Sequence, residues 1–301
     1  MRGLSQKFID DLSAGILAPL RDRVLVDRSV CLEIREDYVN IYYRGGKLLE
    51  ISTGNDGYTA SFDTNYAKDG ADALAQTLPA AQIRTKTDVD AWLAAMPTLK
   101  LAMDLYPHRK EEREAQQLIV RDNNFGGMSL QTDYYICDIE YANRQGRFDL
   151  VAVRWPSSGS IRKKQDGHRL VLVEVKYGDD AITGTTSLHS HVRDINAFLG
   201  DEGNLHKLKD EMARLFNQKR VLGLLNCKKD LVAFSDEPPM LLLALVNHDP
   251  DSTKLRTSLE SLPPSPHADL YLATGCFMGY GLFDQAIVPL DEAITRFGPC
   301  I

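Results

Sequence analysis

The 301-residue chain has no Cys-X-X-Cys pair. Its five cysteines, Cys31, Cys137, Cys227, Cys276 and Cys300, are scattered and odd in number. This excludes a disulfide scaffold and a structural zinc site of ordinary spacing, and it fits a reducing, cytoplasmic setting. Long apolar runs are also missing. The opening Met1-Arg2-Gly3-Leu4-Ser5-Gln6-Lys7 leads into a segment interrupted by acids, so neither a signal peptide nor a membrane span is expected. There is no positive balance of charge: 35 basic against 42 acidic residues give −7. That excludes nucleic-acid binding through a globally basic surface, but not through a locally basic cleft. A Gly-Lys-Ser/Thr phosphate loop, a Gly-X-Ser-X-Gly elbow, internal repeats and low-complexity tracts are all absent.

What remains is a chain 44% hydrophobic, enough for a full core, and long enough for two domains or one elaborated domain at roughly 150 residues each. Its centre of interest is residues 147–177. Two short apolar, β-branched runs, Arg147-Phe148-Asp149-Leu150-Val151-Ala152-Val153-Arg154-Trp155 and Leu170-Val171-Leu172-Val173-Glu174-Val175-Lys176-Tyr177, flank a polar loop and read as a hairpin of strands. Side chains alternate along a strand, so Glu174 and Lys176 share a face with Leu170 and Leu172, and Asp149 shares one with Val151 and Val153. Pairing of the strands would bring Asp149 near Glu174 and Lys176.

Buried charges are costly unless compensated, and adjacent carboxylates repel unless a cation or proton intervenes. A hard divalent ion answers both problems. It takes oxygen ligands from one or two carboxylates and completes its shell with water and substrate phosphate. Asp149 and Glu174 would supply carboxylates, the Val175 carbonyl a further oxygen, and Lys176 a cation beside developing charge. The plainer alternative is a core strand emerging into solvent, with Asp149 paired to an arginine.

Asp149 followed by Glu174-Val175-Lys176 resembles the signature of the PD-(D/E)XK nuclease superfamily, the restriction-endonuclease-like fold that includes archaeal Holliday-junction resolvases. The resemblance covers about residues 109–248. It implies a core of helix, three strands, helix, strand, with Mg²⁺ or Mn²⁺ as cofactor and phosphodiester hydrolysis leaving a 5′-phosphate. DNA is the expected substrate in preference to RNA. Many enzymes of that fold cut duplexes as dimers, so a homodimer is among the open oligomeric states. A Glu on the first helix usually faces the site. Residues 109–122 would form that helix, with Glu112 at the family position, Ala115 and Ile119 on its side, and Glu111 and Glu114 as rivals. One departure is visible: Phe148 stands where a proline often precedes the catalytic Asp.

The fold class expected is α/β: a restriction-endonuclease-like mixed sheet flanked by helices over residues 101–301, preceded over residues 1–100 by a small α+β region with an antiparallel meander. In the N-terminal region a helix is expected over residues 8–20, strands over 31–35, 38–43, 47–52 and 58–62, and helices over 69–77 and 87–96. Gly45-Gly46 is a hairpin signal. Tyr42, Tyr43, Arg44 and Lys47 read either as a nucleic-acid contact or as ordinary hairpin residues. Further on, strands are expected over 134–141, 240–247 and 270–277, and helices over 187–199, 204–215 and 290–297. The fully apolar 240–247 should be central in its sheet.

Other residues are candidates with equally ordinary explanations. Asp138 and Glu140 share a strand face and either enlarge the acidic site or pair with Arg144 or Arg147. Arg162, Lys163, Lys164 and Arg169, in the loop over 155–169 flanked by Trp155, could grip phosphates or be merely solvated. His191 could reach the site from its helix or form a surface pair with Asp194. Lys207, Lys209, Arg214, Lys219 and Arg220 face outward on this reading and could line a nucleic-acid channel. The competing functional class is a non-enzymatic module that binds nucleic acid or protein on the same fold.

Overall fold

The computed structural model describes residues 1–67, 77–106, 110–125, 129–183, 187–248, 253–274 and 281–296. Among them are eight α-helices and eleven strands in a mixed α/β architecture with two sheets. Two compact units result: Met1–Gln117 with Asn217–Leu225, and Leu118–Phe216 with Asn226–Ile301. The division expected after residue 100 falls inside a helix, α3 (Lys86–Asp104). No helix among the described residues is long and apolar enough to cross a membrane.

The first unit opens with α1 (Gln6–Ser13) and α2 (Ala18–Val26), where one continuous helix was expected. The physical reason is Gly15, where a Cβ would come within 2.6 Å of the Asp11 Cα, together with a proline in the first turn of α2. Five antiparallel strands follow in sequential order: β1 (Val30–Ile34), β2 (Tyr38–Tyr43), β3 (Gly46–Gly54), β4 (Gly57–Ser61) and β5 (Gln82–Ile83). The β2–β3 hairpin turns on Arg44 (φ 45°) and Gly45 (φ 78°), a two-residue turn one position earlier than the expected Gly45-Gly46. Gly46 instead opens β3, where a Cβ would stand 2.5 Å from the Met103 methyl.

α3 starts at a capping box between Thr85 and Asp88 and continues through Pro97 to Asp104, well past the expected end at 96. Its inward stripe of Val89, Trp92, Met96 and Leu99 is buried, which holds the helix together across the proline. The helix expected over 69–77 lies outside the described residues except for Thr77, as does Pro107. The segment Asn217–Leu225 is tied into this unit by polar contacts. Gln218 bonds the Leu4 backbone on both sides at 2.9 Å, and Lys219 Nζ meets Glu33 Oε2 at 2.7 Å with both side chains 1% exposed. Lys219 is therefore not an outward cation as expected; it compensates the one acid of an otherwise apolar strand.

The second unit is built on a six-stranded mixed sheet in the order β11-β10-β9-β8-β7-β6. β6 (Tyr134–Ala142), β7 (Arg147–Arg154) and β8 (Arg169–Tyr177) form an antiparallel meander. β9 (Met240–Val246) runs parallel to β8, β10 (Asp269–Thr274) parallel to β9, and β11 (Ile287–Pro289) antiparallel to β10. β9 is buried along its whole length between β8 and β10, as its two apolar faces require. Between β8 and β9 come α5 (Leu188–Leu199) and α6 (Glu202–Val221). α4 (Glu111–Asn124) precedes β6, α7 (Thr253–Glu260) precedes β10, and α8 (Leu290–Arg296) follows β11. α4 and α6 contribute residues to both units.

Candidate active site

The last rungs of the β7–β8 ladder are Val151↔Leu172 and Leu150↔Val173. One residue beyond, a side chain replaces the backbone partner: the Val175 N–H donates to Asp149 Oδ2 at 2.9 Å. A strand residue presents its N–H and C=O toward the same neighbour. The Val175 carbonyl is thus also directed toward the β7 side, where Asp149 lies. Continued by one rung, the register sets Asp149 opposite Glu174, on the face that Glu174 shares with Lys176, and all three are buried. Their exposures are 8%, 1% and 5%. Lys176 Nζ donates to Glu174 Oε1 at 2.7 Å. Burial on this scale would be prohibitive for isolated charges and is tolerable only because they compensate one another.

A fourth side chain completes the cluster. α5 follows Ser187 and buries Leu188, Val192, Ile195 and Leu199. That stripe fixes the rotation of the helix and turns His191 toward β8. His191 Nδ1 lies 3.0 Å from Glu174 Oε1, and Nε2 lies 3.3 Å from Lys176 Nζ. The surface pair with Asp194 is not formed; Asp194 instead meets its neighbour Arg193 at 2.9 Å. Asp138 sits opposite Val151 across a bulge in β6 and is fully buried, which puts it on the same sheet face as Asp149. Glu140, with φ 53°, instead turns to Arg147 at 3.5 Å. The two acids therefore separate, one on the site's face and one in a marginal ion pair.

The acids of α4 belong to the first unit. Glu114 meets Arg44 at 3.3 Å, Glu111 is exposed and Glu112 is half-buried. Ala115 and Ile119 are buried, as the expected helix face requires. The nearby hairpin residues are occupied within that unit: Arg44 and Tyr43 bond Asp104, and Lys47 pairs with Glu50 at 2.7 Å. The ordinary explanation of that hairpin therefore accounts for these side chains.

The basic loop divides. Arg162 turns inward, bonding the Tyr135 hydroxyl and the Thr132 carbonyl with its guanidinium 4.7 Å from the Tyr135 ring centroid. Arg169, its side chain 11% exposed, bonds Asp269 and the Pro238 carbonyl. Lys163 and Lys164 remain exposed. Trp155 is fully buried and stacks on His168 at 3.9 Å, so it is core and presents no ring to a base.

Among the described residues no three His, Cys, Asp or Glu side chains converge to hold a metal by themselves. Two carboxylates on adjoining strands with a backbone carbonyl on the β7 side would suit an ion that leaves most positions to water and substrate. Comparison of the chain with family models, curated proteins and solved structures returns no match.

Proposed function

We propose that the protein is a metal-dependent nuclease that hydrolyses phosphodiester bonds, with DNA preferred over RNA. The observation that carries this reading is the buried Lys176–Glu174 pair beside Asp149, whose carboxylate accepts from the Val175 N–H where the β7–β8 ladder ends. Support also comes from the element order α4, β6, β7, β8, α5, α6, β9, with β9 parallel to β8. The order is compatible with the helix, three strands, helix, strand core that the resemblance implies, with α6 as an additional helix before the last strand.

Asp149, Glu174 and the Val175 carbonyl would hold Mg²⁺ or Mn²⁺, which when bound polarises the phosphoryl group and lowers the pKa of water. The protein's own residues do the rest. Lys176, held against Glu174, presents a fixed cation where charge accumulates on the phosphoryl oxygens. Asp149, held by the Val175 N–H, cannot swing into solvent. Exposed Lys163 and Lys164 supply nonspecific phosphate attraction. By the resemblance, hydrolysis would leave a 5′-phosphate.

The internal satisfaction of Glu174 by Lys176 and His191 equally suits a non-enzymatic binding module, so the assay must separate the two. Protein is incubated with supercoiled, linear, branched and single-stranded DNA and with RNA, in Mg²⁺ or Mn²⁺, with EDTA as control. Cutting that EDTA abolishes and Lys176→Ala reduces by about 10²–10³-fold is expected. Nucleic acid bound but never cut, with or without metal, would assign the binding module instead.

A further inference from the structure

We infer that His191 is a positioning residue that locks Lys176 and Glu174 in place, and is not a contact for nucleic acid. Three distances carry this: 2.7 Å from Lys176 Nζ to Glu174 Oε1, 3.0 Å from His191 Nδ1 to the same oxygen, and 3.3 Å from His191 Nε2 to Lys176 Nζ. They close a triangle in which every member touches the other two.

The chemistry of the triangle fixes the ring. A lysine ammonium has hydrogens to give and no lone pair, so Nε2 opposite it must accept. The ring proton then sits on Nδ1 and is donated to Glu174. Turning the ring over would place carbons at both contacts. One orientation and one tautomer therefore satisfy both partners.

The triangle also explains how a flexible side chain becomes a fixed one. Lys176 has four rotatable carbons, and its bond to Glu174 joins two residues of the same strand, which does not by itself define where Nζ stands. The second acceptor comes from α5, a different element whose rotation is set by the buried stripe Leu188, Val192, Ile195 and Leu199. Nζ is thus pinned from two directions. Glu174 is oriented by two donors in the same way, as the carboxylates of metal sites commonly are. His191 is the most exposed of the three, at 32% against 6% and 2% for the side chains of Lys176 and Glu174.

The consequence for catalysis rests on the nuclease reading above; the positioning itself does not. Two measurements test them separately. In metal-free wild-type protein, with the ring neutral, long-range ¹⁵N–¹H correlation of the histidine rings should show His191 as the Nδ1–H tautomer with Nε2 as acceptor. An Nε2–H tautomer, or a ring averaging between the two, would overturn the inference whether or not the protein cuts DNA.

The second measurement is kinetic. His191→Ala should lower kcat by about 10–100-fold with KM unchanged. His191→Gln, whose amide offers a carbonyl to Lys176 and an N–H to Glu174, should recover most of the loss. A raised KM with kcat intact would make His191 a phosphate contact and overturn the positioning role. If wild-type protein cuts nothing, the nuclease reading fails while the tautomer still decides this one.

Discussion

Phe148 precedes Asp149 where the resemblance leads one to expect proline, and its surroundings account for the aromatic. It pairs with Tyr141 across the β6–β7 ladder and stacks on that ring at 5.6 Å. It also meets Phe198 of α5 edge-on at 5.0 Å. A proline would give up both ring contacts. At 1% exposure, Phe148→Ala should cost about 3–5 kcal/mol, read as a lower denaturant midpoint. A loss below about 1 kcal/mol would mean that the Phe198 contact is not formed in solution. His168 makes a second residue-scale prediction. Burial against Trp155 holds its imidazole below the ordinary 6.5, so the folded state favours the neutral ring. The sign follows from linkage: above 6.5 neither state protonates it and its contribution is complete, and below 6.5 the unfolded chain gains the proton first. Stability is thus lost as pH falls from 6.5 toward the lower folded value. Thermal melts at about pH 7.5 and 5.5 should show a smaller drop for His168→Phe than for wild type; equal drops would place the acid sensitivity elsewhere.

Elements were legible in the sequence wherever the signal was local. The period-2 alternation of β7 and β8 placed Asp149, Glu174 and Lys176 on one face because it depends only on neighbours two apart. The N-terminal meander was legible for the same reason, except β5, which at two residues carries no periodicity. Long-range partners were not legible. His191 read equally as a residue reaching the site and as a surface pair with Asp194, because its partners Glu174 and Lys176 lie on another element. Arg162, Arg169 and Lys219 read as outward cations, either phosphate contacts or solvated, because a helix or loop pattern does not encode which acid or carbonyl folds back onto it. For Lys219 the signal was at the other end: Glu33 is a lone acid in the buried strand Val-Cys-Leu-Glu-Ile. The tie between β1 and the last turn of α6 yields an element-scale prediction. Lys219→Ala leaves Glu33 buried without its cation and should cost about 3–5 kcal/mol, whereas Lys219→Met with Glu33→Leu should recover most of that loss. Equal destabilisation by the single and double variants would show that packing volume, not charge, dominates there.

At the scale of the whole molecule, the two tryptophans offer a way to ask which unit responds to metal. Trp92 lies in the α3 core of the first unit, 2% exposed, and Trp155 lies fully buried in the second. Asp149, Glu174 and Lys176 all belong to the unit that holds Trp155. A chain of two units need not melt in one step, so a single midpoint would blur the answer. Trp92→Phe leaves Trp155 fluorescence to follow the second unit, and Trp155→Phe leaves Trp92 to follow the first. An ion that binds only the folded site adds about 2.7 kcal/mol at a hundred times its Kd. For a unit of this size each kcal/mol is worth about 2–4 °C. On the nuclease reading, saturating Mn²⁺ should therefore raise the Trp155-reported midpoint by about 5–10 °C, and Asp149→Ala should remove the rise. The Trp92-reported midpoint should move only where the two transitions are coupled. A shift that survives Asp149→Ala would place the ion elsewhere on this acidic chain, whose net charge of −7 attracts divalent cations without any built site. No shift by either reporter would remove the metal from the proposed mechanism.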